Sequence, residues 1–363
     1  MNRRPDITLC KDPGPRLLSV ILNYRTAEMT LHAAEAALQA MEGIAGGLVI
    51  VDNASGDGSF EKISAEAGRR GWTRGGRVRV IAAPHNGGYG AGNNLGIRAG
   101  LPDGTQPDYI YLLNPDAFPD PDAIRKLLDA MQADPALGLT GSYIRGADDR
   151  PHRTAYRFHS IVSEFEGAAR LRPISWMLAR HKVAPRVPSA PCRVDWVQGA
   201  SLMIRARALH DTGLFDENFF LYYEETDLCR RAQAAGWAVG YRPESRVEHI
   251  GSVSTGINTR TQRIPGYWLD SRHYYFLRNH GRAYAAAATM AHIAGGLLWR
   301  LRMVLTGRRR RDPPRLLLDM AAHWLRHGLR RPPPPRIPAF PGPRGSGAFA
   351  PPARPAPATR RKT

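Results

Sequence analysis

The feature that most constrains this chain is an alternation in its first third. Four short apolar runs, LLSVIL (17–22), LVIV (48–51), VRVIA (78–82) and YIYLL (109–113), are separated by helix-like stretches: AEMTLHAAEAALQAM, the Ser59 to Arg70 segment and AGNNLGIRAG. A β-α-β-α rhythm of this kind argues for a mostly parallel sheet covered by helices on both faces. In open sheets of that class, ligands bind beyond the carboxyl ends of the strands. Those ends are where polar residues collect here: Asn23-Tyr24, Asp52-Asn53, Pro84-His85-Asn86 and Asn114-Pro115-Asp116. Four polar strand ends together carry more weight than any one of them.

Downstream, residues 140–250 are less regular. VDWVQGASLMIR (194–205) reads as a strand or a pair of strands around a glycine turn, and EETDLCRRAQAAGW (224–237) as a helix ending near Gly236. Residues 267–330 read as helices interrupted near Thr306-Gly307 and at Pro313-Pro314. Beyond Arg331 the chain is rich in Pro, Gly and Arg with few anchors for a core, which predicts a disordered or extended tail.

With 363 residues the chain can bury one large or two ordinary cores, and its hydrophobic fraction of 43% suits a globular protein. The formal charge of +19 would ordinarily suggest a nucleic-acid or anionic-membrane partner. Most of that excess, roughly +14, lies from Arg300 onward. Cys10, Cys192 and Cys229 show no metal-type spacing and match a reduced cytosolic protein. The opening MNRRPDITLCKDPGPR has no apolar core behind its positive start, so no secretory signal is expected. The longest apolar stretch, from Tyr284 to Trp299, falls short of the ~20 residues that span a bilayer. The expected location is cytoplasmic, with a peripheral place on the inner face of the cell membrane as an option.

Each chemical candidate has a plain structural reading beside it. VDNASGDGS (51–59) is a turn-rich segment in which Asp52, as a pure acceptor, could take a hydrogen bond from a nucleobase N–H. NGGYGAGNN (86–94) begins like a dinucleotide fingerprint, but Asn93 stands where its last glycine belongs. What remains is a glycine-rich entry to a helix, able to let backbone approach a nucleotide and offer N–H groups to anionic oxygens. In LLNPDAF, Asp116 is either a turn former or a carboxylate placed to hold Mg²⁺ or Mn²⁺ against a diphosphate. In FFLYYEETDLCRRAQAAGW (219–237), Glu224, Glu225 and Asp227 suit a helix N-terminus, yet the aromatic residues ahead of them suit a general base with a raised pKa. His249 then completes a possible set of Asp, diphosphate and His.

Taken in order, SVILNYRT, VDNASGDGS, NGGYGAGNNLGI, LLNPDAF, VQGASLMIR, FDENFFLYYEETDLCRRAQAAGW and VEHIGSVST resemble glycosyltransferase family 2, and within it the rhamnosyltransferase-like branch. The resemblance covers about residues 16 to 280. It implies an α/β GT-A fold, a mostly parallel sheet flanked by helices, with C-terminal helices and a disordered basic tail. The implied layout is an N-terminal extension (1–15), a catalytic domain (16–266), a helical segment (267–330) and the tail (331–363). It also implies an inverting transfer from a nucleoside-diphosphate sugar, usually with a divalent metal. By position, Glu225 matches the general base, and Asn23, Tyr24, Asp52, Asn86, Gly87, Gly88, Asn93 and Asn114 fall in the donor-binding loops. Asp116 and His249 match metal ligands, with Asn114 standing where the commoner motif has its first Asp. Trp196, Gly199, Ala200 and Glu224 match the sugar and acceptor side.

The expected donor is a dTDP- or UDP-sugar, and the expected acceptor a saccharide or lipid-linked saccharide for cell-surface polysaccharide or glycolipid synthesis. The basic C-terminal helices read two ways: as a surface for an anionic membrane, or as a hairpin packed on the catalytic domain with solvated arginines. A nucleic-acid partner is not expected, because no aromatic stacking platform accompanies the charge. The rival readings are a nucleotidyltransferase and a catalytically inactive sugar-nucleotide or membrane-binding protein.

Overall fold

The computed structural model describes residues 14–251, 262–308 and 312–342. Cys10, the end of the VEHIGSVST motif, Arg309 to Arg311 and the tail from residue 343 lie outside the described residues. The elements run β1 (Leu17–Asn23), α1 (Ala27–Ala40), β2 (Gly46–Asp52), α2 (Ser59–Arg69), β3 (Val78–Ala82), α3 (Gly88–Ala99), β4 (Tyr109–Leu113), β5 (Ala117–Pro119), α4 (Ala123–Ala133) and β6 (Leu137–Arg145). Then follow β7 (Ala155–Tyr156), α5 (Ile161–Ala169), α6 (Arg172–Met177), β8 (Cys192–Arg193), β9 (Trp196–Val197), β10 (Ser201–Arg205), α7 (Ala206–Thr212), α8 (Glu224–Ala234), β11 (Ala238–His249), α9 (Gly266–His280), α10 (Arg282–Leu305) and α11 (Leu316–His327).

The main sheet has the order β3-β2-β1-β4-β10-β6-β11-β5, and β8 also pairs with β11. The four runs read from the sequence are its parallel half, with β1 and β4 buried along their whole length. Antiparallel β10 enters between β4 and β6, and β11 lies parallel to β6. The sheet is therefore mixed, and each face has its own core. Leu31, Leu127 and Met131 of α1 and α4 cover one face, while Ile97, Leu209 and Leu228 of α3, α7 and α8 cover the other.

Register brings the polar strand ends together. Asn23 pairs with Asp52, Asp52 with Ala82, and Ile21 with Leu113. β10 starts beside the end of β4, with Ser201 opposite Leu113, and His249 at the end of β11 lies opposite Ala117. The glycine turn expected in VDWVQGASLMIR joins β9 to β10.

The C-terminal helices pack on this domain through buried ion pairs. Arg278 of α9 lies 3.1 Å from the carboxylate of Asp216 and 2.6 Å from that of Asp227, both fully buried. Arg272 donates to Glu164 of α5 at 2.7 Å. Gly295 of α10 sits where a Cβ would lie 2.5 Å from the Phe165 carbonyl oxygen, so α10 and α5 approach backbone to backbone. The expectation of a disordered tail from residue 331 needs correction as far as residue 342. Arg336 and Pro338 offer their carbonyls to the Glu217 and Leu214 N–H groups, both at 2.9 Å, and Phe340 is buried. A proline-rich strand, short of N–H groups but not of carbonyls, suits backbone donors left over beside Asp216.

Candidate active site

At the β1 and β2 ends, the Asp52 carboxylate accepts from Asn23 Nδ2 at 2.7 Å and from the Ser55 hydroxyl at 2.5 Å. Asn23 is fully buried, and its Oδ1 also takes hydrogen bonds from the Thr26 and Thr30 side chains. With both amide hydrogens engaged on Asp52 and Ser55, Asn23 has no donor left for a ligand; it holds Asp52 and the turn into α1. Tyr24 is partly exposed beneath the Arg25 guanidinium, 5.1 Å from its ring centre. Arg25, unremarked in the sequence, has a left-handed backbone (φ 57°) and donates to the Ser55 carbonyl at 3.0 Å. Successive strand residues face opposite ways, so Asn53 turns from Asp52 toward Asn86, donating to its Oδ1 at 3.0 Å. The Asn53 Oδ1 is buried with no partner among the described residues, an open acceptor that sequence reasoning passed over in favour of its neighbour.

The glycine-rich entry to α3 does something other than expected. Gly88 (φ 87°) donates to Asn86 Oδ1 at 2.9 Å, and Tyr89 N–H donates to the Phe220 carbonyl at 2.9 Å. These first N–H groups of α3 are engaged within the protein and cannot serve an anion. A Cβ on Gly88 would lie 1.9 Å from the Phe220 oxygen, on Gly92 2.4 Å from Leu22, and on Gly96 2.5 Å from Val20. The spacing of four therefore seats α3 tightly on β1 and on the Phe220 segment. A Cβ on Gly87 would meet Ala91 at 2.7 Å, and Asn93 is buried with its amide on the Tyr89 carbonyl. Gly88 and Asn93 thus shape the loop, and the expected offer of a backbone N–H to an anion is corrected for Gly88, whose N–H is taken by Asn86.

LLNPDAF forms the turn that its sequence allowed. Ala117 N–H closes a turn on the Asn114 carbonyl at 3.2 Å, and the turn aims Asp116 at His249, with Oδ1 and Nε2 3.0 Å apart. Asn114 Nδ2 is 3.4 Å from the same imidazole nitrogen. Both Asp116 and His249 are buried. Among the described residues no group of three or more His, Cys, Asp or Glu side chains forms a metal cage. A carboxylate and an imidazole converging at the strand ends nevertheless fit a divalent ion that takes its remaining ligands from water and from substrate phosphates, as Mg²⁺-type ions do.

Glu224 and Glu225 open α8 behind two residues of unusual backbone. Tyr222 (φ 71°) and Tyr223 (φ 70°) are both left-handed, a conformation that costs a bulky residue energy and concentrates at working sites. Each glutamate has an Oε2 that is buried and, among the described residues, without a partner. Burial pushes the Glu224 carboxyl well above its ordinary range, and the charge of Glu225 pushes it further. Burial also raises Glu225, opposed by its own N–H and that of Gly199. Gly199 is pinned by Tyr89, whose hydroxyl donates to its carbonyl at 2.8 Å. A Cβ at Gly199 would lie 2.5 Å from that hydroxyl oxygen. Tyr89 was missed in the sequence because an aromatic residue in a glycine-rich helix reads as packing.

Ala200, next in the chain, accepts from Asn114 N–H at 3.1 Å and so ties this group to the Asp116 turn. Trp196 stacks on Tyr156 with ring centres 4.1 Å apart, and its indole N–H donates to the Arg157 carbonyl. Asp195 is turned to the Phe158 N–H. His159 lies 4.9 Å from the Tyr223 ring, joining Trp196 and Tyr156 in an aromatic wall near Glu225.

Residues 20–187 match the profile of glycosyl transferase family 2, and residues 109–324 that of glycosyl transferase family group 2. The N-acetylglucosaminyl-diphospho-decaprenol L-rhamnosyltransferase of Mycobacterium tuberculosis is 31% identical over 255 residues, covering 66% of this chain and 80% of that protein. A rhamnosyltransferase of Escherichia coli is 26% identical over 169 residues, covering 45% of this chain and 60% of that one. A mannosyltransferase of Pyrobaculum calidifontis, solved with GDP-Man and Mn²⁺, overlaps with a TM-score of 0.48 at 14% identity, covering 86% of each chain, a likeness too loose to carry an argument. With the mixed α/β sheet described above, the chain belongs to glycosyl transferase family 2 and is a glycosyltransferase similar to rhamnosyltransferases.

Proposed function

We propose that the protein is an inverting transferase that moves a sugar, with rhamnose the leading candidate, from a nucleoside diphosphate to a hydroxyl of a saccharide or lipid-linked saccharide. The acceptor is met at an anionic membrane surface. The observation that carries this reading is Glu225: a half-buried glutamate with one carboxylate oxygen buried and, among the described residues, unpartnered, held beside Gly199 near the strand ends that bear Asp116 and His249.

Glu225 takes the proton from the acceptor hydroxyl as its oxygen forms a bond to the anomeric carbon. Attack comes from the face opposite the diphosphate, whose bond to that carbon breaks and takes the electron pair with it. Asn53, through its open acceptor, and Asn86 and Asp52 line the donor side, with Asn23 acting through Asp52. The Trp196–Tyr156 wall offers an apolar face to a sugar ring. Asp116 and His249, with Asn114 beside them, would hold Mg²⁺ or Mn²⁺, which supplies charge neutralisation for the leaving diphosphate.

The test is a screen of dTDP-, UDP- and GDP-sugars for release of nucleoside diphosphate, with Glu225→Gln and Asp116→Ala alongside. Glu225→Gln should lose turnover while donor binding persists; unchanged turnover would mean that the base lies elsewhere or that the pocket only binds. Asp116→Ala should remove the dependence of donor affinity on Mn²⁺, and equal affinity with and without the ion in the parent protein would refute the metal assignment. Release of pyrophosphate from a nucleoside triphosphate would instead support nucleotidyl transfer.

A further inference from the structure

The C-terminal helices have a feature that sugar transfer does not use. Along α10, Ala285, Ala288, Gly295, Gly296, Trp299 and Met303 are buried against α5, α9 and α11. The opposite side presents Met290, Leu297, Leu301 and Leu305, spaced by seven, four and four residues and so on one helical face. α11 repeats the pattern: Leu316, Leu317 and Met320 point inward, while Leu318 and Leu325 stand out, with Leu329 exposed in the turn that follows. Exposure of these outward residues runs from 55% at Leu301 to 85% at Leu329. Scattered exposed leucines are ordinary; an apolar stripe on each of two adjoining helices is not. The sequence alone mixed Trp299 and Met303 with Leu301 and Leu305, and packing separates them.

The charge around the stripes is one-sided. Between residues 282 and 342 the only carboxylates are Asp312 and Asp319. Both are turned into ion pairs, with Arg300 at 2.8 Å and with Arg263 at 2.7 Å. Arg308, Arg315, Arg326, Arg330 and Arg331 are exposed and outnumber the two carboxylates of the segment, of which Asp319 is shared by Arg263, Arg315 and Arg326. Among the described residues no helix is long and apolar enough to cross a membrane. Apolar faces edged by arginine on helices that do not span fit the interface of an anionic bilayer.

We propose that the outward faces of α10 and α11 dock the protein on an anionic lipid bilayer, with both helices in the plane of the headgroups. This deepens the membrane clause of the proposed function and rests on it, but not on the transfer chemistry. The docked layer is tied firmly to the site. His292 on the inner side of α10 meets Glu164 at 2.8 Å, Glu164 lies 3.5 Å from His159, and His159 packs on Tyr223, which precedes the glutamate pair. A bilayer held by α10 therefore stands at a fixed relation to Glu225.

The experiment is flotation of the full chain with vesicles of phosphatidylcholine, alone or mixed with phosphatidylglycerol. The protein should float with the anionic vesicles and not the neutral ones. A Leu301→Ser, Leu305→Ser, Leu325→Ser variant should lose at least about tenfold in partition. Arg326→Gln and Arg330→Gln should each lose roughly fivefold. Thermal melting and nucleotide release with a water-soluble acceptor should stay at parent values in all of them, which separates failure of docking from failure of the transferase reading. Equal flotation of parent and leucine variant would overturn the proposal, as would equal binding to neutral vesicles. A dimer in solution that the leucine variant disperses, without any vesicle binding, would assign the stripes to a second copy of the chain instead.

Discussion

Replacing Gly88 by alanine tests whether the glutamate pair is positioned by the close seating of α3. The residue is left-handed (φ 87°), and its new methyl would lie 1.9 Å from the Phe220 carbonyl oxygen. Real Cβ contacts of that kind begin near 3.0 Å, so the Phe220 backbone must retreat by about 1 Å. The left-handed strain costs about 1–2 kcal/mol. Loss of the Tyr89 N–H to Phe220 carbonyl bond adds about 1 kcal/mol, for a destabilisation of about 2–3 kcal/mol in all. Phe220 leads directly into Tyr222, Tyr223 and the glutamates, and a misplacement of about 1 Å at reacting groups costs about 100-fold in rate. The matched control is Gly75→Ala, at φ 70° with nothing within 4 Å of the added methyl. It should cost about 1–2 kcal/mol and leave the rate alone. Urea denaturation and nucleotide release measure the two quantities. A Gly88→Ala protein that turns over like the parent would show that the Phe220 segment does not hold Glu225 in place.

Other perturbations probe the joints around this core. Arg278→Met leaves the fully buried Asp216 without its cation and removes one of two from Asp227, and should cost about 3–5 kcal/mol in urea denaturation; a loss under 1 kcal/mol would mean that Arg231 and Tyr274 suffice. Tyr89→Phe removes the hydroxyl on the Gly199 carbonyl and should cut turnover about tenfold with little change in donor affinity, and unaltered turnover would deny Tyr89 a positioning role. His273, buried between α9 and α11 beside His323, has its pKa pushed down to about 4 by burial and by that neighbour. A folded value below the unfolded one means full stability above pH 6.5, declining as pH falls toward 4, and His273→Phe should flatten that part of a melting-temperature profile.

Much of the sheet was legible because buried parallel strands need apolar runs and their ends need polar residues, and residues 17–113 satisfy both. The Asp116–His249 pair and the glutamates at the start of α8 were legible as motifs. The glycine-rich entry to α3 was not, because spacing that lets a backbone approach a phosphate is the same spacing that lets a helix approach a strand. Tyr89 and Asn53 act through partners more than thirty residues away in sequence, Gly199 and Asn86, and pairing at that separation leaves no local trace. The docked stretch from 331 to 342 was hidden for another reason: it binds largely through backbone groups, the Pro334, Arg336 and Pro338 carbonyls and the Arg336 N–H, which nearly any sequence can offer.

The paired glutamates raise the question of why two carboxylates are buried where one base is needed. Two like charges side by side in a dry site do not both ionise easily, so the pair titrates as a unit above the ordinary carboxylate range. Gly199 N–H faces only Glu225, and Glu225 is the less buried of the two. In the proposed mechanism the proton leaves Glu225 first, so that an ionised Glu225 works beside a protonated Glu224. A neutral neighbour keeps the base from being further crowded by charge, and a base raised above 4.5 is closer to the proton it must accept. Turnover should rise with pH through a limb above that of a free glutamate. Glu224→Gln imitates the protonated neighbour and should stay within about tenfold of the parent, whereas Glu225→Gln should lose about 10²–10⁴-fold. The opposite order, with Glu224→Gln inactive and Glu225→Gln active, would move the base one residue back and place Gly199 beside a bystander.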